Sequence, residues 1–488
     1  MKEIKRKTKI ICTIGPASES KEILKKLAKA GLNAARVNFS HGNYEENKEK
    51  IENVKAVREE LGIPIALILD TKGPEIRTGN QETGNEKAQI NEGDIFTFVN
   101  EDTIGDRSQT SISYKDLYKE INLGSKILVD DGELEFEVIE IKDKNIICKA
   151  LNSGMLGSRK TVNVPGLKLD LPALAPKDIE DIKSGIKADV DYIAASFVRR
   201  ADDVKQIRKL LDENGGQEIK IISKIESQEG IDNIDEIMEL SDGIMIARGD
   251  MAVEIPFEQV PVVQKKFIKK CNNAGKPVII ATQMLESMIE NPRPTRAEVS
   301  DVANAVYDET NAIMLSGESA IGNYPVECVE TMDKIASTVD NSVRIWRRFA
   351  RKVLENGFLD ANIEITDIEA NIAYTTCVSA MQTKADAIVA YTHTGSSAMK
   401  LAGNRPKCPI LVVTDSKKTY NQLSTIWNVY PIFVEERKTI SDTVAKGIEI
   451  FKEKGILEAG DTVLLSGGAK VRVTGTTENK VLGGVVRI

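Results

Sequence analysis

The sequence predicts an α/β protein: a (β/α)8 TIM barrel with an inserted all-β domain and a C-terminal α/β domain. Three observations lead there. First, eight short apolar runs end in polar or charged residues: Lys9–Ile14, Ala34–Phe39, Ile65–Leu69, Tyr192–Phe197, Ile219–Ile225, Gly243–Ala247, Pro277–Ala281 and Ala312–Leu315. Continuous apolar runs suit buried parallel strands, and polar tails at their carboxyl ends suit the mouth of a barrel enzyme. Second, from about Glu75 to Leu171 the apolar period drops to two, as in Ile95–Val99 and Leu134–Val138. Third, beyond Ile345 five further apolar runs alternate with helical stretches.

Each element has a local reason. After the first strand, Ile23, Leu24, Leu27 and Ala28 form one apolar helical face, and Gly31 stops it. After the second, Ile51, Val54, Val57 and Leu61 repeat the pattern until Gly62. Turn residues such as Asn91-Glu92-Gly93-Asp94 and Asp130-Asp131-Gly132 separate the strands of the insert. The predicted domains are 1–73 and 172–344 for the two parts of the barrel, 74–171 for the lid-like insert and 345–488 for a regulatory α/β domain.

Composition sets the outer bounds. Hydrophobic residues at 41% and charged residues at 29% describe an ordinary globular chain of 488 residues. A net charge of −8 argues against a general nucleic-acid role, which needs a clustered basic surface. Cys12, Cys148, Cys271, Cys328, Cys377 and Cys408 are scattered without a Cys-x-x-Cys pair, so neither a zinc site nor a disulfide framework is expected. No stretch reaches the length of a membrane helix, and the apolar run after the basic start is too short for a signal peptide, so a cytoplasmic location is expected. Two histidines, His41 and His393, leave little room for a His-based triad or metal site.

The chemistry therefore falls to Lys, Arg, carboxylates and hydroxyls. On the fifth strand Ile222, Lys224 and Glu226 share a face, and Asp250 follows the next strand. Two carboxylates on adjacent strand ends suit Mg2+ or Mn2+; an ordinary ion-pair cluster is the other reading. Asn38, Ser40, Asp70 and Thr71 offer small oxygen ligands for a monovalent cation, or form a hydrogen-bonded turn. Arg36, Arg77 and Lys224 supply cations for phosphate. In the last domain, Thr392-His393-Thr394-Gly395-Ser396-Ser397 lies between a strand and a helix, where hydroxyls and amides either cradle a phosphate or merely cap the helix. Gly475 belongs to a second loop able to close over it.

Together these residues resemble the pyruvate kinase family. The resemblance rests on Thr8 to Pro16, Arg36 to Gly42, Leu69 to Gly79, Ile222 to Glu226, Ala247 to Asp250, Ala281 to Met288 and Met314 to Glu318, in that order. It implies transfer of a phosphoryl group from phosphoenolpyruvate to ADP, giving pyruvate and ATP. It further implies Mg2+ or Mn2+ on Glu226 and Asp250, and K+ on Asn38, Ser40, Asp70 and Thr71, with Glu75 at the position that accompanies K+ dependence. Lys224, Thr282 and Arg36 would be catalytic; Ala247, Arg248, Gly249 and Asp250 would complete the substrate pocket; Asn38, His41 and Arg77 would meet the nucleotide. The family also implies a homotetramer and a sugar phosphate or AMP as effector. Two departures stand out. Met251-Ala252 replaces the usual Leu-Gly pair, adding a methyl near the carboxylate pocket, and His393 stands where regulated relatives often carry Lys. A metal-dependent barrel lyase or aldolase acting on pyruvate-type enolates is one rival reading, which would not need the β-insert, the K+-type ligands or Arg77; an inactive scaffold or sensor is the other, against which the intact set Lys224, Glu226, Asp250 and Thr282 argues.

Overall fold

Alternation along each barrel strand decides which side chains enter the barrel. The computed structural model describes residues 6–40, 42–82, 87–342, 368–435, 439–473 and 476–487, with side chains through Ser466. The barrel strands are β1 (Lys9–Thr13), β2 (Ala34–Asn38), β3 (Ala66–Asp70), β4 (Tyr192–Ala195), β5 (Lys220–Ile225), β6 (Gly243–Ala247), β7 (Val278–Ala281) and β8 (Ala312–Leu315). They close in chain order into one barrel, every neighbouring pair parallel. Ile11, Ala34, Ile68, Tyr192, Ala194, Ile222, Met245, Ile279 and Met314 fill its interior. Their neighbours Ile10, Ala35, Leu67, Ile193, Ile221, Ile244, Ile280 and Ile313 pack outward against the helices. The period of two thus produces two cores from one set of strands.

The helices begin and stop as their sequences predict. Ser20 caps the helix Lys21–Ala30, and Gly31 ends it at φ 125°. The helix Tyr44–Leu61 ends on Gly62 at φ 61°, a left-handed position that favours glycine. Three predicted strands end earlier than their apolar runs, the first at Thr13 rather than Ile14. Phe39 belongs to a turn, and Phe197 adopts φ 54°, which turns the chain out of β4.

The insert forms a seven-stranded sheet and a two-stranded ribbon around its own core, which includes Phe96, Phe98 and Phe136. It is not purely β: Leu117–Glu120 makes one helical turn. The last domain is a five-stranded sheet ordered Val429–Phe433, Ile410–Thr414, Ala387–Tyr391, Thr462–Val473, Thr476–Arg487, the last pair antiparallel. The predicted domain limit at Ile345 lies outside the described residues.

This domain docks on the amino ends of the barrel strands. Tyr192 Oη donates to the Gln422 carbonyl at 2.9 Å, and Asp340 Oδ1 accepts the Trp427 ring N–H at 3.5 Å. Arg405 donates to the Thr310 carbonyl at 3.2 Å and to Asn272 Oδ1 at 2.8 Å. Lys9 Nζ donates to the Val429 carbonyl at 2.7 Å and lies 4.4 Å from the Tyr430 ring. Burial, reinforced by the charge of Arg6 and opposed by Asp340, lowers the Lys9 pKa to about 7. The unfolded chain therefore binds the extra proton between pH 7 and the ordinary 10.5, and stability from this group rises with pH across that window. Lys9→Met should lose that rise. Melting curves recorded from pH 7 to 10 test it, and parallel profiles for the two proteins would contradict the assignment.

Candidate active site

The barrel mouth is polar because each interior-facing row ends in a functional group. Lys224 follows Ile222 on the inner face of β5, Arg36 follows Ala34 on β2, and Asp70 follows Ile68 on β3. The three meet in a buried network. Arg36 Nε donates to Asp70 Oδ2 at 2.5 Å, and Arg36 Nη1 donates to Thr13 Oγ1 at 2.8 Å. Lys224 Nζ lies 3.3 Å from Asp70 Oδ1, donates to Ser196 Oγ at 2.7 Å, and stands 3.0 Å from Glu226 Oε1. Phe197, in its left-handed turn, aims its N–H at Glu226 Oε2 at 2.6 Å.

Burial and charge oppose one another at each member. Burial acts to strip Lys224 of its proton, but Asp70 and Glu226 outweigh it and hold its pKa above the ordinary value. Burial acts to protonate Asp70, but Arg36 and Lys224 prevail and hold that carboxyl below its usual range. For Glu226 burial wins. Its pKa rises to about 7, against the pull of Lys224 and with a further push from Asp250. Glu226 Oε1 faces Lys224 as a buried ion pair at 3.0 Å.

Asp250 lies on the next strand end, in the helix Arg248–Glu254, partly exposed and close enough for its charge to act on Glu226 and Lys224. The Gly249 N–H donates to Thr282 Oγ1 at 2.9 Å, and that hydroxyl donates to the Ala281 carbonyl at 2.6 Å. Thr282 holds φ 70° and Gln283 φ 55°. A β-branched residue there is strained by about 1–3 kcal/mol, and such strain clusters at functional sites. Arg248 points elsewhere: it bonds Asp301 at 2.8 Å and the Thr282 carbonyl at 2.7 Å, so it braces the turn. Met251 is fully buried in the outer core and Ala252 is exposed, so the substituted pair leaves the pocket unobstructed.

The oxygen-rich set at β2 and β3 is adjacent through the pairing of Asn38 with Asp70. Its groups are engaged within the protein. Asn38 Oδ1 accepts the Ser40 N–H at 3.0 Å, and Thr71 Oγ1 accepts the Ser196 N–H at 3.1 Å. Arg77 does not join the Lys224 network. It pairs with Glu75 at 2.6 Å at the edge of the insert, beside a cleft of about 510 Å³ that also includes Lys72, Asn80 and Arg159. His41 and Gly475 lie outside the described residues.

In the last domain, Gly395 takes φ 89° before the helix Ser396–Gly403, and its N–H bonds Thr392 Oγ1 at 2.9 Å. His393 pairs with Asp415 at 2.6 Å, and Ser396 Oγ lies 3.3 Å from a Glu369 oxygen. Thr394 is exposed, with Ser397 partly so.

Known proteins resemble this chain along most of its length. The pyruvate kinase barrel-domain model matches residues 5–329, and the pyruvate kinase alpha/beta-domain model matches 370–481. The chain belongs to the pyruvate kinase family. A pyruvate kinase of Clostridium acetobutylicum is 48% identical, over 97% of this chain and 98% of that one. That of Clostridium perfringens is 46% identical over the same shares. A crystal structure of a pyruvate kinase from Cryptosporidium parvum superposes with a TM-score of 0.90 at 36% identity, covering 98% of this chain and 96% of the other. The chain is thus a metal-dependent phosphotransferase that moves the phosphoryl group of phosphoenolpyruvate to ADP, yielding pyruvate and ATP. No helix among the described residues is long and apolar enough to cross a membrane.

Sequence reasoning missed Ser196 and Thr13, which hold Lys224 and Arg36. Both lie two residues beyond interior positions, Ala194 and Ile11, so the same alternation could have found them. The Phe197 amide had no such signal.

Between pH 4.5 and about 7 folded Glu226 keeps a proton that the unfolded chain has released, so its burden on stability grows as pH rises. Without added metal, Glu226→Gln should therefore gain stability relative to the parent as pH goes from 5 to 8. Paired thermal melts measure it; a variant whose stability relative to the parent stays level or falls from pH 5 to 8 would refute the raised carboxyl.

Proposed function

We propose that the Lys224 network and the adjoining Asp250–Thr282 turn carry the phosphoryl transfer. The observation behind this reading is the buried meeting of Lys224, Arg36, Asp70 and Glu226 at the barrel mouth. Phosphoryl transfer asks little covalent chemistry of a protein and much charge placement. Like charges about 5 Å apart repel by about 3 kcal/mol at an effective dielectric near 20, and two polyanionic substrates contain several such pairs. Lys224 stays charged and stabilises the phosphoryl group in flight, and Arg36 contacts the same group. Arg77, released from Glu75, reaches the nucleotide phosphates, with Asn38 and His41 beside them.

Glu226 and Asp250 suit Mg2+ or Mn2+. No group of three His, Cys, Asp or Glu side chains among the described residues forms a closed metal cage, and Mg2+ characteristically takes one or two carboxylates plus substrate oxygens. Glu226 and Asp250 would hold the cation, which would supply positive charge against the substrate phosphate. Asn38, Ser40, Asp70 and Thr71 supply the oxygens for K+. Gly249 and Asp250 amides take the substrate carboxylate in the turn formed by Ala247 and Arg248, with Thr282 Oγ as the present acceptor for Gly249. Thr282 then orients the water that protonates the enolate carbon, because an alcohol is too weak an acid to do so itself.

A homotetramer and an effector at Thr392 to Ser397, extended by Gly475, complete the reading. A sugar phosphate or AMP is the ligand class, and the partly accessible Thr394 and Ser397 hydroxyls support it. Asp415 and Glu369 flank the loop with negative charge, so His393 and Ser396 would have to change partners.

Two tests follow. Formation of ATP from phosphoenolpyruvate and ADP should require Mg2+ or Mn2+ and rise with K+, and Lys224→Met should slow turnover by about 10³-fold or more with the fold retained. A near-parental rate would refute the role given to Lys224. Thr394→Glu should leave the basal rate intact and abolish any shift of the phosphoenolpyruvate saturation curve by sugar phosphates or AMP; a shift that survives would remove the effector from this loop.

A further inference from the structure

The insert is tied to the barrel rim at two partly buried polar points. On one side Arg199, buried in the loop after β4, donates to the carbonyls of Leu171 at 2.7 Å and of Leu169 and Pro172 at 3.2 Å. These carbonyls lie on the chain returning from the insert, so Arg199 grips the hinge. On the other side, Asn163 Nδ2 in the insert's strand Thr161–Asn163 donates to Glu254 Oε1 at 2.7 Å. Between them lies a cleft of about 120 Å³ bordered by Glu75, Asn163, Phe197, Arg199, Asp250 and Glu254.

Glu254 is the last residue of the helix that carries Asp250, one turn further along. The two carboxylates stand four residues apart, on one side of the helix. Burial raises the Glu254 pKa, the Asn163 hydrogen bond opposes the rise, and Asp250 adds to it. The choice of partner is informative. A Lys or Arg at position 163 would reach both carboxylates and compete for Asp250, whereas a neutral amide anchors Glu254 and leaves Asp250 available.

We propose that Asn163 and Glu254 form a latch that seats the insert on the Asp250 helix, making them positioning residues for the transfer. Docking of the lid and aim of Asp250 then become one event, because a single short helix carries both the latch and the ligand. The catalytic part of the proposal rests on Asp250 serving the transfer; the latch itself does not.

The test uses the full chain with Glu254→Ala, Asn163→Ala, the double variant and Glu254→Gln. Each alanine variant should lose about tenfold in kcat/KM, the double variant should be no worse than the poorer single, and Gln, which keeps an acceptor, should recover most of the loss. Hydrogen exchange of Thr161–Asn163 without substrates should accelerate equally in both alanine variants. A double variant whose losses multiply, a Gln variant as poor as Ala, or unchanged exchange in Asn163→Ala would overturn the latch. Should Glu254→Ala fail to fold, Asn163→Ala decides alone through its kinetics and exchange. If exchange changes as expected while kcat/KM stays parental, the latch stands and its role in the transfer is overturned.

Discussion

The ion network around Lys224 is the constraint on which the rest of the barrel mouth depends. Burying charges costs several kcal/mol per ion, and hydrophobic replacements are often as stable. Here Arg36 and Lys224 face Asp70 and Glu226, with Asp250 nearby, so two cations meet three carboxylates. That imbalance leaves one negative charge over. It adds to burial, the larger cause, in holding the proton on Glu226 toward neutral pH. An arrangement built for stability alone would pair its charges; this one keeps a deficit.

The backbone pays for that geometry in conformational strain at the strand ends. Phe197 and Thr282 both take left-handed conformations, and each is tied by a hydrogen bond into the site, one to Glu226 and the other to Gly249. Strained residues persist only where their surroundings overdetermine them. The closed barrel supplies that rigidity, since every strand is held on both sides. The opposite end of the barrel has a different task. There Tyr192, Lys9 and Asp340 join the C-terminal domain through hydrogen bonds and burial. Stability at the amino ends and chemistry at the carboxyl ends is the division this barrel architecture favours.

Much of this was legible in the residues themselves. Eight apolar runs became eight strands, and Gly31 and Gly62 ended helices where they stood. A period of two is a property of any extended chain, so placing Lys224 and Glu226 on one face needed no knowledge of the fold. The same rule put Arg36 and Asp70 inside. The limits of the strands were less legible. Phe39 and Phe197 are apolar enough to continue a strand, and only the turns required by the mouth remove them from it.

What the sequence by itself determined was therefore the class of fold, the order of its parts and the identity of the charged groups facing inward. Tertiary structure alone decided their partners. Arg77 carries the right charge for the network, yet it lies with Glu75 at the insert's edge, while Ser196 and the Phe197 amide supply the bonds that residue type did not advertise. Glu254 and Asn163 lie 91 positions apart and meet only because the insert folds back over the rim. The physical reason is the range of the information: alternation is local and fixes direction, whereas a hydrogen bond or an ion pair depends on a few ångströms across chain segments that only the closed barrel brings together.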